Sequence, residues 1–517
     1  MTIKTNVKFQ SRNIIIGLSL LTLLILSSRS VNYFSAHEPF CDSGIFMSGA
    51  RHVLAGRTLY QDFWDNKPPM IFFFNAVAMK IGGYSVNSVR IMERIFAGSG
   101  IILFYFAALA YFRSYWLAWC GAALFLINLY NPLSLEEGNF TEEYGAIFVL
   151  IGISAVLLST RYVYRITYRW MIVSGCFFAG AMLFKEPFLL SSLPWFLFLL
   201  LRADRFSWKA VSKRIVFCLI GALIPFIVLL IYLGMHHALP DYLDVISYNF
   251  SNNETPIPLL DRLLDNIQFA RLKMLNQFTV MQWLALLSLG LFASSSLRKK
   301  YGVLLLTTLA AFFADFTGTA LSPRHYGHYY LQLAPSFSLL AMFGLLVIRE
   351  IVQRLRLSRL ICIAIGALCL VWFDLPATQA LIGRLSQPNQ WAQPSRFAEA
   401  LKKMAKPGDT LWAVSLNYTE IYMETGLLSP SPYHMFFNHL FIDTKNSTGQ
   451  EKFDSVTRML QTEPPTFILV ELQKDTTLLF DSGIFDWIQS EYVSTGYGNE
   501  NTEIFIKKER FADRTLP

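Results

Sequence analysis

The residues best suited to chemistry lie in one stretch, 37–69, which follows the first long apolar segment. It reads HEPFCDSGIFMSGARHVLAGRTLYQDFWDNKPP. Its acids and cations are Glu38, Asp42, Asp62, Asp65, Arg51, Arg57 and Lys67. A loop that only joins two membrane helices needs no such concentration of charge, because charge near a bilayer is costly without a partner or a role. The composition therefore indicates a functional loop.

Asp42 stands where a general base can act. Its carboxylate, in FCDSGIF, can take the proton from a hydroxyl group that attacks an electrophilic carbon. The same position suits a helix N-cap, because Asp before the predicted helix SGIF caps well. Both roles stay open, and one side chain can fill both.

The motif DFWDNKPP contains Asp62, Trp64, Asp65 and Lys67. An anionic leaving group such as a lipid phosphate needs positive charge or a metal to stabilise its developing charge, and Lys67 can supply that charge. Asp65 can hold Lys67 or bind a divalent cation. Trp64 suits the head-group level of a membrane or a sugar face. The alternative is an interfacial turn whose charges face water.

Two later motifs add acids and a cation. In EEGNFTEEYG, Glu142 and Glu143 begin an apolar run, and four acids at a helix start partly reflect the helix dipole. Adjacent helix positions point about 100° apart, so one of the two should face the bundle as a metal or donor head-group ligand. In LFKEPF, Lys185 either forms a buried pair with Glu186 or meets a phosphate.

The motif SPRHYGHYYLQLAP carries Arg324, His325, Tyr326 and His328. Arg324 suits a bidentate phosphate contact. His325 and His328 can bind a metal or serve as hydrogen-bonding groups, with Tyr326 between them in support. Two histidines without a placed carboxylate fall short of a complete metal site.

The rest of the chain, which must position these residues, has the composition of a membrane protein. Of 517 residues, 54% are hydrophobic and 15% are charged, against about 25% charged in soluble domains. The net charge of +8 sits in short clusters between apolar runs, a pattern typical of membrane topology rather than nucleic-acid binding. The six cysteines form no disulfide or zinc pattern. No nucleotide-binding loop or nucleophile elbow is present, so no nucleotide cofactor is expected.

About eleven runs are long and apolar enough to predict membrane-spanning helices. They are 13–29, 88–112, 115–133, 142–160, 168–184, 187–201, 215–234, 278–296, 302–321, 329–348 and 359–375. The first is either a cleaved signal peptide or an uncleaved anchor, and the many spans that follow favour the anchor. Every second loop is basic, which predicts a cytoplasmic N-terminus and an extracytoplasmic C-terminal part.

The predicted outside loops include two long ones, 30–87 and 235–277. Segments 44–56 and 68–82 of the first loop are expected to be helices along the membrane interface. Residues 376–517 are polar enough for a small soluble α/β domain. Its predicted elements are a helix at 395–405, strands at 410–415 and 467–472, and a hairpin at 492–508.

Several motifs in this order resemble the bacterial branch of the protein O-mannosyltransferase superfamily. They are Asp42, DNKPP at 65–69, ERIF at 93–96, TEE at 141–143, KEP at 185–187 and RHYGHYYLQLAP at 324–335. The branch is glycosyltransferase family 39-like and includes aminoarabinose transferases and RgtA/B/C/D-like lipopolysaccharide glycosyltransferases. The resemblance covers roughly residues 10–375.

This resemblance implies a mainly α, polytopic protein with a GT-C-like helical bundle over 1–375. It implies a polyprenyl-phosphate-linked sugar donor, with inverting transfer to a glycan, lipid or protein acceptor at the outer face of the bacterial inner membrane. It places Asp42 as catalytic base, Asp65 at a metal or the donor head group, and Lys67 near the donor phosphate. Family members often pair two acids at the first position. Here Ser43 follows Asp42, which leaves Glu38 or Asp62 as candidates for a second acid.

A second interpretation is a transporter or flippase of a lipid-linked glycan, without chemistry. Such a protein is expected to show inverted repeats and paired helix breaks at mid-membrane, and the sequence shows neither. Few ionisable residues fall within the predicted spans, which also argues against an ion relay through the membrane.

Overall fold

The computed structural model describes twelve stretches of the chain, and every structural statement below concerns those residues. They are 15–25, 41–135, 138–160, 168–201, 208–251, 257–271, 279–322, 325–356, 395–414, 418–434, 447–471 and 482–512. The predicted span at 359–375 and Arg324 lie outside the described residues.

Helices dominate because only a helix or a closed barrel satisfies its own backbone hydrogen bonds inside a bilayer. Up to residue 201 the helices are Ile15–Ile25, Cys41–Leu54, Met70–Gly82, Val86–Phe112, Tyr115–Leu129, Pro132–Leu135, Thr141–Thr160, Tyr168–Met182 and Phe188–Leu201. Beyond it they are Trp208–Met235, Leu239–Ser251, Leu259–Phe269, Thr279–Leu287, Ser295–Thr319 and Ala334–Arg354, with 3₁₀ turns at Ser288–Ala293 and Gly327–Leu333. The predicted mainly α class is confirmed.

Five of the described helical stretches are long and apolar enough to cross a membrane. They are Val86–Phe112, Thr141–Thr160, Trp208–Met235, Ser295–Thr319 and Gly327–Arg354. Other predicted spans correspond to shorter apolar helices, such as Tyr115–Leu129. The predicted span 278–296 is a helix that tightens into a 3₁₀ turn, so it is not one continuous α-helix. The protein is a multi-pass membrane protein, and the number eleven stays a prediction.

The described residues divide into two compact units, which we name by their main feature. The bundle unit takes its residues from 1–34, 92–230 and 253–390, and the sheet unit from 35–91, 231–252 and 391–517. In the bundle unit, helix Thr141–Thr160 is buried along nearly its whole length, because neighbouring helices cover every side of it. The sheet unit joins the first predicted outside loop to the C-terminal part of the chain.

A four-stranded sheet forms the C-terminal part of the sheet unit. The strands are β1 (Leu411–Val414), β2 (Phe467–Glu471), β3 (Tyr492–Gly498) and β4 (Thr502–Lys507), in the order β1-β2-β4-β3. β1 and β2 are parallel, and β4 is antiparallel to β2 and β3, which confirms the predicted hairpin. Both β1 and β2 are buried on both faces, as their continuous apolar runs indicate. The accompanying helices are Arg396–Met404, Ile421–Thr425, Ser447–Thr462, Ile484–Glu491 and Lys508–Ala512.

One buried histidine joins the two parts of the sheet unit. His52, in helix Cys41–Leu54, has its Nδ1 2.8 Å from the Ser48 carbonyl oxygen, and its Nε2 accepts the Ser429 N–H at 3.1 Å. Because Nε2 is the acceptor, the proton lies on Nδ1 and the ring is neutral. Burial lowers the pKa of His52 to about 4, with a smaller opposing effect from the hydrogen bond to Ser48.

We expect this buried histidine to make the stability of the protein fall in acid. The pKa of His52 is lower in the folded state, so the unfolded state binds more protons between pH 6.5 and about 4. Stability contributed by the neutral ring is complete above pH 6.5 and is lost progressively towards pH 4, by roughly 3 kcal/mol. The variant His52→Gln keeps a hydrogen-bond acceptor but does not titrate.

The apparent melting temperature of detergent-purified protein, measured from pH 7.5 to 4.5, tests this. The wild type should fall more steeply than His52→Gln, so that their difference shrinks with acidity. Parallel curves would show that the pKa of His52 is the same in the folded and unfolded states, as for an exposed side chain.

Candidate active site

Asp42 and Lys67 form an ion pair in the sheet unit. Lys67 Nζ lies 3.8 Å from Asp42 Oδ2, and the two side chains keep 27% and 34% of their surface exposed. Asp42 is in the first turn of helix Cys41–Leu54, where the helix dipole favours a carboxylate. It therefore lies within the helix rather than before it as a cap. The pair is held by the protein yet remains open to a ligand.

The backbone around Lys67 is fixed on both sides. Its N–H donates to Asp65 Oδ1 at 2.8 Å, and its carbonyl accepts the Tyr60 hydroxyl at 3.0 Å. The preceding residue, Asn66, accepts a hydrogen bond from the Asn249 side chain through its carbonyl at 2.8 Å. Helix Met70–Gly82 begins just after the two prolines that follow Lys67. We call residues 57–69 the Lys67 loop.

Asp65 is partly buried beside the ion pair. Burial raises the pKa of Asp65 to about 6, and the negative charge of Asp42 acts in the same direction. Lys67 opposes both through its positive charge and its backbone N–H. Asp65 thus holds the backbone of Lys67, one of the two roles considered for it. Its carboxylate is close to titrating at neutral pH.

The other two residues singled out in the Lys67 loop have structural contacts. Asp62 Oδ2 accepts the Thr58 N–H at 2.7 Å, and its other oxygen lies 3.9 Å from Arg57 Nη1, so Asp62 closes a turn. Trp64 is 5% exposed and meets the Tyr248 ring edge to face at 5.1 Å. The indole therefore packs on protein, and its predicted contact with a head group or sugar stays a prediction.

A second ionic cluster lies in the bundle unit. Lys185 Nζ donates to Glu142 Oε1 in a short contact, and Thr141 Oγ1 donates to the other carboxylate oxygen at 2.7 Å. Lys185 Nζ also lies 3.6 Å from the centre of the Tyr329 ring. Lys185, in the turn between helices Tyr168–Met182 and Phe188–Leu201, is therefore paired with Glu142 of helix Thr141–Thr160. Glu143 has a different contact, accepting the Asn139 N–H at 3.0 Å.

Aromatic rings enclose the histidine of this cluster. The His328 ring stacks between Phe140, at 4.1 Å, and Tyr326, at 5.3 Å. Its Nε2 lies 3.9 Å from Glu142 Oε1. His325 stacks instead on Phe269, at 5.4 Å. The two histidines thus have separate surroundings and do not converge as a pair of metal ligands.

The donor atoms near these sites do not by themselves make a metal site. Across the twelve described stretches, no group of three or more His, Cys, Asp or Glu side chains is arranged to hold an ion. Asp42 faces the ammonium of Lys67, which opposes a cation at that position. The divalent cation stays a prediction, and no chemical step below depends on it.

Four residues that contact the two ionic clusters were not predicted from the sequence. Tyr60 and Asn249 fix the Lys67 backbone, and Tyr329 and Phe140 line the Glu142 cluster. Tyr329 lies in the quoted motif at 324–335, which gave a usable signal. Asn249 comes from helix Leu239–Ser251, 182 positions beyond Lys67, and nothing in its local sequence indicates that contact.

Protonation of Asp65 should strengthen binding of an anionic lipid. Asp65 loses its charge as the pH falls through about 6, which leaves the cluster with Asp42 less negative. Repulsion between the Asp65 carboxylate and a phosphate a few ångströms away is worth about 1 kcal/mol in a solvated site, which corresponds to roughly five-fold in affinity. The advantage of Asp65→Asn over wild type in binding a polyprenyl phosphate should therefore be about five-fold at pH 7.5 and close to none at pH 5.

The ratio of the two dissociation constants, obtained by fluorescence titration, is the quantity to measure, because it cancels the titration of the lipid itself. A ratio that stays constant across this range would show that Asp65 does not act electrostatically on the ligand.

Substitutions of Glu142 and Lys185 should have strongly non-additive effects on the free energy of unfolding. Removing one partner of a buried ion pair leaves a buried charge and typically costs 3–5 kcal/mol, so we expect roughly that loss for Glu142→Gln or Lys185→Met alone. The double variant leaves neither charge and should cost clearly less than the sum. Thermal unfolding of all four proteins measures the coupling. Additive losses, or a Lys185→Met variant that loses only phosphate binding, would contradict a primarily structural pair.

Comparison with known proteins shows that this chain is similar to one sequence family and to solved structures of the same fold. Residues 66–232 match the sequence family described as dolichyl-phosphate-mannose-protein mannosyltransferase. The crystal structure of ArnT from Cupriavidus metallidurans in the apo state aligns with a TM-score of 0.58 at 14% identity, covering 94% of this chain and 97% of that one. The same protein bound to undecaprenyl phosphate gives 0.57 at 15% identity, covering 95% and 97%. No curated protein matches by sequence.

The fold match spans nearly the whole chain, and the family match includes part of the DNKPP motif together with Lys185. Both findings agree with the resemblance found in the motifs: the chain is a multi-pass membrane protein with an ArnT-like fold, and residues 66–232 are similar to the dolichyl-phosphate-mannose-protein mannosyltransferase family.

Proposed function

We propose that this protein is an integral membrane glycosyltransferase that moves a sugar from a polyprenyl-phosphate donor to an acceptor hydroxyl. The observation that carries the proposal is the ion pair of Asp42 and Lys67, 3.8 Å apart and partly exposed. A base and a phosphate-binding cation are the two groups that such a displacement needs side by side.

The proposed reaction is a single displacement with inversion. The acceptor oxygen attacks the anomeric carbon, the bond from that carbon to the phosphate oxygen breaks, and the polyprenyl phosphate leaves. Asp42 takes the proton of the acceptor hydroxyl as the new bond forms. Lys67 neutralises the charge that develops on the leaving phosphate. Arg324, outside the described residues, remains a candidate for a second phosphate contact.

The ion pair seen in the free protein would open when the donor binds. A partly exposed salt bridge contributes only about 0.2–1 kcal/mol. A hydrogen bond to a charged group contributes about 1.5–3 kcal/mol, so a donor phosphate competes successfully for Lys67. The carboxylate of Asp42, released from the ammonium, is then free to accept a proton. The resting pair thus keeps both groups ready without holding them tightly.

The names of the similar proteins support the choice of donor. The description of the matching family names dolichyl-phosphate mannose, and one similar structure was determined with undecaprenyl phosphate bound. Both lipids are polyprenyl phosphates, so we assign the donor to that class. The transferred group is a hexose or pentose, and the acceptor a glycan, lipid or protein of the cell envelope.

The alternation of basic loops supports a location in the bacterial inner membrane with a cytoplasmic N-terminus. The sheet unit, with the ion pair, would then face the extracytoplasmic side, where a lipid-linked donor presents its sugar. A transporter or flippase of the same lipid is the alternative. It would bind the donor without releasing free polyprenyl phosphate.

Two substitutions should separate the roles of the paired residues. Asp42→Asn removes the base and should lower kcat by at least about 100-fold while donor binding is retained. Lys67→Met removes the phosphate contact and should weaken donor binding as well as turnover. Transfer from a radiolabelled polyprenyl-phosphate sugar, with release of the free lipid phosphate, measures both in purified protein.

Asp486→Asn, at an exposed position of helix Ile484–Glu491, is the matched control and should behave as wild type. Full activity in a folded Asp42→Asn variant would remove Asp42 from the mechanism. Donor binding by the wild type without any release of lipid phosphate would favour the transporter.

A further inference from the structure

One face of the Asp42 helix, Cys41–Leu54, is seated on residues 418–434 of the C-terminal part. Gly44, Ser48 and His52 are four residues apart and therefore lie along this one face. Ser48 Oγ donates to the Thr419 carbonyl at 2.6 Å, and His52 Nε2 accepts the Ser429 N–H at 3.1 Å. The helix thus has polar anchors at its middle and near its end.

The contact is closest beside Asp42 itself. A Cβ atom on Gly44 would lie 2.7 Å from the backbone nitrogen of Glu420, and still closer to the side chain of Thr419. Only glycine fits this approach without displacing the backbone of one partner. Gly44 is two residues from Asp42, so any displacement there moves the carboxylate.

The same segment also holds the Lys67 loop. The backbone N–H of Trp64 donates to the Pro432 carbonyl at 3.0 Å, and the Phe63 ring stacks on the His434 ring with their centres 3.7 Å apart. Trp64 additionally lies against Tyr433, with ring centres 5.9 Å apart. Residues 418–434 therefore contact both elements that carry the paired charges.

The Asp42 helix and the Lys67 loop also meet directly, which closes a triangle. A Cβ atom on Gly49 would lie 2.7 Å from Phe63 Cε1, so the helix and the loop touch at that point. The Phe46 ring meets Phe72 edge to face at 5.8 Å, just beyond the loop. Three elements from distant parts of the sequence thus pack on one another around the ion pair.

We propose that residues 418–434 are a positioning segment that sets the separation of Asp42 and Lys67, with Gly44, Ser48 and His52 as the positioning residues. The inference rests on the proposed function and assigns a role to the C-terminal part of the chain. In this proposal the three residues act through the position of Asp42 and not by contact with the substrate. They act because displacement of a reacting group by about 1 Å can cost about 100-fold in rate.

The test compares glycines with and without a close neighbour. Gly44→Ala should lower kcat at least ten-fold, while the dissociation constant for a polyprenyl phosphate changes much less, because Lys67 remains available. Gly234→Ala, in helix Trp208–Met235, has open space around the new methyl group and should match wild type. The melting temperature of each variant reports whether it is folded.

A second pair of variants decides the matter if Gly44→Ala does not fold. His52→Ala removes the acceptor for the Ser429 N–H and should lower kcat, whereas His52→Gln retains an acceptor at similar reach and should restore most of it. A merely structural role would move the melting temperature and leave kcat of the folded fraction unchanged.

Wild-type kcat in folded Gly44→Ala or His52→Ala would overturn the positioning role alone, provided that the wild type transfers sugar and Asp42→Asn does not. Absence of transfer by the wild type itself would overturn the proposed function and this inference together.

Discussion

The ion pair between Asp42 and Lys67 is the interaction on which the rest depends. It is weak, because both side chains are partly exposed and 3.8 Å apart. A weak pair does not hold two backbone segments together, so other contacts must place its partners. Those contacts are the hydrogen bonds around Lys67 and the packing of helix Cys41–Leu54. Weakness is also what lets a ligand phosphate take the place of the carboxylate.

The ionic cluster of the bundle unit obeys a different constraint. Glu142 is buried and has Lys185, Thr141 and His328 around it, so its charge is compensated inside the protein. A buried pair of this kind is costly to break and is not readily given up to a ligand. The Asp42–Lys67 and Glu142–Lys185 pairs each join a carboxylate to a lysine, but they differ in solvent exposure and are therefore suited to different roles. The pair in the sheet unit can exchange partners, while the pair in the bundle unit is expected to hold the turn at Lys185 against helix Thr141–Thr160.

Apolar length was enough to predict most helices, because the bilayer sets a minimum length and requires internal hydrogen bonding. The run 142–160 became helix Thr141–Thr160. Helix Leu239–Ser251 was missed, since its Tyr, Val, Ile, Ser and Asn are weak helix formers. Asp42 and Lys67 were expected in one site, and they are paired. The partners of Lys185 and His52 were not predictable, because Glu142 and Ser429 are distant in sequence.

A structure of the protein with a bound polyprenyl phosphate tests the central claim most directly. The account predicts that Lys67 Nζ turns from Asp42 to a phosphate oxygen, within about 3 Å. It also predicts that the Asp42 carboxylate then faces the space next to that phosphate, while helix Cys41–Leu54 stays seated on residues 418–434. A phosphate bound away from Lys67, with the Asp42–Lys67 pair intact, would contradict it.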